Sequence, residues 1–154
     1  MGWLELKIPP VAVWLIAAAL VWLLDAATPG LRPAASPLWI AAAGLLALTG
    51  AAAGIVGVLA FRAAQTTVHP MHPEQTSRMV TDGIYRWSRN PMYLGLALLL
   101  AALVLWWRAP AGLLVLAGFV VYMNRFQIMP EERALAAKFG AEFDRYAAKV
   151  RRWL

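Results

Sequence analysis

Four long apolar runs, parted by shorter polar stretches, set the character of this chain. Residues 10–24 carry no charge, and the run reads on to Ala27 past Asp25. Residues 38–61 are uncharged throughout and long enough to span a bilayer with some tilt. Residues 91–107 and 109–123 are shorter. Only Arg108-Ala109-Pro110 parts them, which predicts a helical hairpin with a tight turn. A spanning helix needs about 20 residues, and the last run reaches that length only if 124–129 continue it.

Beyond Pro130 the pattern changes. Leu135, Phe139, Phe143, Tyr146 and Val150 recur at helical spacing with charges between them. This predicts an amphipathic helix on the membrane surface or folded back over the bundle, with Gly140 dividing it. The expected fold class is all-α and integral to the membrane, with about four transmembrane helices. A single domain, 1–154, would comprise two N-terminal membrane helices (1–61), a cytosolic loop (62–90), the hairpin (91–129) and a cytosolic C-terminal helix (130–154).

Composition supports this reading. The chain is 62% hydrophobic and 14% charged, too apolar for an ordinary soluble domain. The run after Lys7 has the outline of a secretory leader but is read here as the first membrane helix. The absence of cysteine excludes disulfides, thiolate nucleophiles and Cys-ligated metals. A net charge of +6 would in a soluble protein suggest nucleic acid, but here the basic residues cluster at the ends of apolar runs and show no nucleic-acid fold. Anionic headgroups and membrane orientation account for them better. Arg62, Arg78, Arg86 and Arg89 lie in the middle loop, and seven more cations lie between Arg125 and Arg152, whereas the other two connections hold only Arg32 and Arg108. The positive-inside rule then puts both termini and the middle loop in the cytosol, the membrane being the inner one if the source is bacterial. Trp3, Trp22, Trp39, Trp106, Trp107 and Trp153 fall near run ends, as an interfacial belt does. Gly50 and Gly54, four apart, favour close helix packing within the chain.

Polar groups in so apolar a chain direct attention to a site. Asn90-Pro91 is a helix start, with Asn as N-cap and Pro at the first position. Its free N–H groups, with Arg86 and Arg89 just outside, suit an anion such as a carboxylate. Tyr93 falls in the first turn, and Gly95 in the second permits close approach of a ligand or another helix. A capped helix whose arginines touch lipid phosphates explains the same spacing. Pro130-Glu131-Glu132 reads as a second helix start, its carboxylates either capping or accepting hydrogen bonds from a ligand. The loop around His69, His72 and Glu74 is stiffened because each histidine precedes a proline. Its spacing matches no metal-ligand pattern, so no metal is expected, and a general-base role is the weaker possibility for these three residues.

Taken together, Val80-Thr81-Asp82-Gly83-Ile84-Tyr85-Arg86-Trp87-Ser88-Arg89-Asn90-Pro91-Met92-Tyr93-Leu94-Gly95, a hairpin, then Glu131-Glu132-Arg133-Ala134-Leu135, Phe139-Gly140, Tyr146 and Val150-Arg151-Arg152-Trp153 resemble the isoprenylcysteine carboxyl methyltransferase family, a broad group that includes phospholipid methyltransferase-like proteins. The resemblance covers roughly the second half of the chain; the first two helices share only their apolar character. It implies a membrane methyltransferase that binds S-adenosylmethionine on the cytosolic side. Arg89, Asn90, Pro91, Tyr93 and Gly95 would form one wall of the site, Glu131 and Glu132 the other, with Tyr85, Phe139, Tyr146 and Arg151 in secondary roles. Asn90 stands where the prenylcysteine enzymes often carry histidine, so their substrate does not carry over. The acceptor is expected to be lipidic or hydrophobic, its identity open, as is the oligomeric state. A non-enzymatic scaffold or accessory subunit is the alternative. A transporter is disfavoured, because no charge lies at mid-membrane depth.

Overall fold

The computed structural model describes residues 4–65 and 76–154 and is all-helical within them. His69, His72 and Glu74 lie outside the described residues. Five helices follow in order: α1 (Pro10–Ala27), α2 (Pro37–Ala63), α3 (Pro91–Trp107), α4 (Gly112–Phe139) and α5 (Ala141–Lys149). The first three each open on a proline, whose fixed φ suits a first turn and whose missing N–H costs nothing there. Ser36 adds a cap to α2, its Oγ accepting from the Leu38 N–H.

α1, α2 and α4 are long and apolar enough to cross a membrane. α3, at 17 residues, is shorter, about 25 Å against a hydrocarbon core of roughly 30 Å. Leu15, Leu45, Leu48, Leu114 and Val121 are exposed on the outside of the bundle, where lipid rather than water suits them.

α4 departs from the expected layout. Pro130 does not start a helix, and the hairpin does not end at 129. The helix runs on without a break through a π turn at Asn124–Ile128, where the Met129 N–H donates to the Asn124 carbonyl. Proline inside a helix removes one donor, leaving the carbonyl four residues back, that of Phe126, without its partner. The π turn relaxes this point, and the Leu6 N–H donates to Phe126 O at 3.0 Å from outside the helix. Gln127 Nε2 donates to Ile8 O at 2.6 Å, and Glu5 bridges Arg125 and Arg133 at 2.6 Å each, so residues 4–8 clasp the turn. Gly140, at φ +50, then divides α4 from α5, as the sequence predicts.

The helices alternate in direction. Gly57 of α2 lies against Pro91 and Met92 at the start of α3, and Gly50 lies against Gly95 and Leu98. A Cβ on Gly95 would sit 2.6 Å from Gly50 O and 3.0 Å from Gly54 N, so the two backbones touch at this point. α1 closes the other side, with Trp14 Nε1 donating to Leu96 O and Val21 packing beside Val104 at Gly112. The core between α1, α3 and α4 holds Val21, Tyr93, Leu100, Phe119, Met123 and Ile128. This packing brings the end of α2, the start of α3 and the late turns of α4 to one end of the bundle.

Candidate functional site

At that end the middle segment enters α3 through a short 3-10 turn, Gly83–Arg86, whose Tyr85 side chain is buried and packs edge-on against Phe61 of α2 with ring centroids 5.4 Å apart. Arg89 then ties three parts of the chain together. Its backbone N–H donates to Arg151 O at 2.9 Å. Its Nη1 donates to Ala147 O and Val150 O, at 2.8 and 2.7 Å, where a cation suits the carbonyl end of α5. Its Nη2 donates to Glu132 Oε1 at 2.6 Å.

Glu132 is shared. Arg152 approaches its carboxylate through Nε and Nη2, the latter at 2.8 Å. Those hydrogen bonds raise the Arg152 guanidinium above its ordinary value. One carboxylate thus lies between two guanidiniums. Glu131, one residue earlier, has a different environment: its Oε1 accepts from the buried Tyr93 hydroxyl, and no cation is paired with it among the described residues. The continuous α4 explains the difference. Consecutive positions on a helix point about 100° apart, so Glu132 turns to the arginines and Glu131 to α3.

Asn90 begins α3, but its side chain does not cap it. Its Nδ2 donates to Arg152 O at 3.0 Å, while Ser88 Oγ accepts from the Asn90 N–H. Pro91 is buried at the first position, its ring beside Gly57. Tyr146 donates its hydroxyl to Tyr85 O at 2.7 Å, and burial pushes its pKa up to about 12.

These groups enclose a cavity of about 90 Å³ lined by Phe61, Tyr85, Arg89, Tyr93, Glu131, Glu132, Phe143 and Tyr146, among others. Among the described residues, the Tyr85 hydroxyl and Arg89 Nε of this lining are buried polar atoms without a partner. Such atoms cost free energy unless something engages them.

Of the residues singled out in the sequence, the fold brings Tyr85, Arg89, Asn90, Tyr93, Glu131, Glu132 and Tyr146 to this cavity. Gly95 sits a turn further in, against α2, and Arg151 turns its side chain outward and contributes its carbonyl. Arg86 lines a separate surface hollow with Arg145 and Lys149. Phe139 ends α4. Phe61 and Arg152 were not singled out as site residues. Phe61 lies at the end of an apolar run, and Arg152 is one of a basic pair in which spacing does not say which side chain turns inward.

Comparison of the sequence with known proteins finds a family match. The family model described as Phospholipid methyltransferase matches residues 38–142. The match starts at α2, so the shared pattern reaches one helix further than the motifs indicated. An uncharacterized protein of Haemophilus influenzae is 48% identical over 63 residues, which are 41% of this chain and all of that protein. No solved structure gives a significant match.

Proposed function

The chain belongs to the phospholipid methyltransferase family, and on that premise we propose that it transfers the methyl group of S-adenosylmethionine to a lipidic or otherwise hydrophobic acceptor at the cytosolic face of the membrane. The observation that carries the reading is the cavity between the start of α3 and the Glu131-Glu132 turn of α4.

The donor set fits this cofactor. Arg89 Nε, which has no partner among the described residues, and the nearby Arg152 suit its carboxylate. Glu131, without a cationic partner among the described residues, suits its ammonium or ribose hydroxyls. Phe61 and Tyr85 offer aromatic surface for the adenine, and the Tyr85 hydroxyl a polar contact. A cavity of about 90 Å³ is smaller than the several hundred typical of ligand sites. Binding therefore requires the Arg89–Glu132–Arg152 network to part, exchanging internal ion pairs for contacts with the ligand.

When bound, S-adenosylmethionine supplies an activated methyl group. The chain's residues supply orientation and exclude water. Tyr93 and Glu131 close the cavity on the core side, and Phe61 and Leu135 keep it partly dry. An apolar groove of about 450 Å³ between α2 and α3 meets the cavity at Met92, which lines both. It carries the acceptor's tail, so that the reactive head arrives from the side at the interface.

The reading is tested by incubating the protein in lipid nanodiscs with methyl-labelled S-adenosylmethionine and a bacterial lipid extract. Label entering the organic phase, and lost in Arg89→Ala, supports it. A folded protein that binds the cofactor and labels no lipid overturns the lipidic acceptor.

A further inference from the structure

The opposite end of the bundle carries a second cavity, of about 540 Å³, between the segment before α2 and the end of α3. Trp39, Ile40, Trp106 and Arg108 line it together with Ala35 and Ser36, and no carboxylate is among its lining residues. The other charges at this end cancel, since Arg32 is paired with Asp25 through two hydrogen bonds. Arg108 has no carboxylate partner among the described residues.

Arg108 is an unexpected residue for its place. It caps α3 in the left-handed conformation, φ 54 and ψ 42, where glycine is the ordinary choice and a side chain adds strain. By the charge asymmetry of the chain it also lies on the side where membrane proteins avoid cations. One guanidinium nitrogen, Nη1, donates to Pro33 O at 3.0 Å and fixes the group at the cavity rim. Its other N–H donors have no partner among the described residues.

We propose that this cavity binds one phospholipid of the leaflet opposite the Arg89–Glu132 end, its phosphate on the Arg108 guanidinium and its first acyl carbons along Trp106 and Ile40. The uncompensated cation selects an anion, and planar guanidinium suits phosphate. The occupant is a lipid because Ile40 and Trp106 are about 60% exposed on the bundle's outer surface and continue the cavity toward the bilayer. Two tryptophans at this depth suit the junction between headgroup and acyl chain. The bound lipid ties the segment before α2 to the end of α3, across the pair of helices that builds the other end of the molecule. The proposal is independent of the methyl-transfer reading.

Native mass spectrometry of the detergent-purified full chain tests it, with dioleoyl phosphatidylglycerol, dioleoylglycerol and inorganic phosphate as probes. The intact protein is expected to retain one phosphatidylglycerol, about tenfold more tightly than Arg108→Gly, the factor a charge-assisted hydrogen bond supplies. Glycine suits the left-handed position, so that variant should fold at least as well. Arg108→Asn, also tolerant there, is the second neutral variant, and Arg108→Lys should restore part of the affinity. Equal retention by the intact protein and both neutral variants would overturn the proposal. So would dioleoylglycerol binding as tightly as phosphatidylglycerol, or displacement of the lipid by inorganic phosphate.

Discussion

The Leu6 N–H donates to the Phe126 carbonyl, 3.0 Å away, and takes the place of the donor that Pro130 lacks. A residue near the start of the chain thus repairs a helix more than a hundred positions later. The repaired turn is the one that aims Glu131 at α3 and Glu132 at the arginines.

Loosening this clasp should be felt locally first. Glu5→Ala removes both ion pairs to Arg125 and Arg133, whose side chains are half exposed and can turn to water. The Glu5 carboxylate itself is nearly buried, so the expected loss is about 1.5–3 kcal/mol, the order of a hydrogen bond to a charged group. Hydrogen exchange should quicken at Leu6, since its amide is protected only while residues 4–8 stay docked. Unchanged exchange at Leu6 would show that the backbone bond stands without the ion pairs.

The α2–α3 contact separates glycines that look alike. Gly95→Ala would place a Cβ 2.6 Å from Gly50 O, and both partners are backbone. The helices must part, at a cost of about 1–3 kcal/mol. Gly44→Ala meets nothing within 4 Å and should be neutral or stabilising by up to about 1 kcal/mol. Thermal unfolding in detergent compares the two.

Neighbouring arginines should differ as sharply. Arg152→Ala takes three hydrogen bonds from Glu132, leaving its carboxylate to Arg89 alone. S-adenosylmethionine affinity should fall about tenfold, the order of a charge-assisted bond. Arg151→Ala removes an exposed side chain and leaves its carbonyl in place, so affinity should hold within about twofold, the scatter of a surface substitution. Equal losses would assign the effect to the charge of the tail rather than to the network.

Alkaline pH probes the packing of α5 against the turn at Tyr85. Burial raises Tyr146 from an ordinary 10 to about 12, and burial raises Tyr85 as well. A neutral hydroxyl preferred in the fold contributes stability that is whole below pH 10 and is lost as pH rises toward 12. Melting temperature should be flat with respect to these groups from pH 7 to 9 and decline above about 10. In Tyr146→Phe the decline should be shallower, from a starting point lower by about 1 kcal/mol for the lost bond to Tyr85 O.

Much of this arrangement was legible in the chain. Uncharged runs gave α1 and α2 almost to the residue, because a membrane helix must satisfy its own backbone and cannot hold unpaired charge. Asn90-Pro91 marked the start of α3, and Gly140 the break before α5. Pro130 misled, because a proline that opens a helix and one that interrupts it are distinguished by whether some other donor reaches Phe126 O, and Leu6 is far away in sequence. Gly50 and Gly54 form one motif, yet a Cβ on Gly50 would strike α3 whereas one on Gly54 meets nothing. That asymmetry depends on the crossing point, which only the packed pair defines. Arg152 was hidden for the same kind of reason: the turn after α5 decides which of two adjacent arginines faces Glu132.

The central claim is that S-adenosylmethionine binds between the start of α3 and the late turns of α4. Calorimetric titration of the purified chain with S-adenosylmethionine and S-adenosylhomocysteine, beside Glu131→Ala and Arg89→Ala, tests it most directly. The account predicts saturable binding of both compounds that is weakened at least tenfold in each variant, the order of one charged contact, with the variants still folded by melting curve. Unaltered affinity in both variants, or no binding by the folded chain in detergent and in nanodiscs alike, would contradict it.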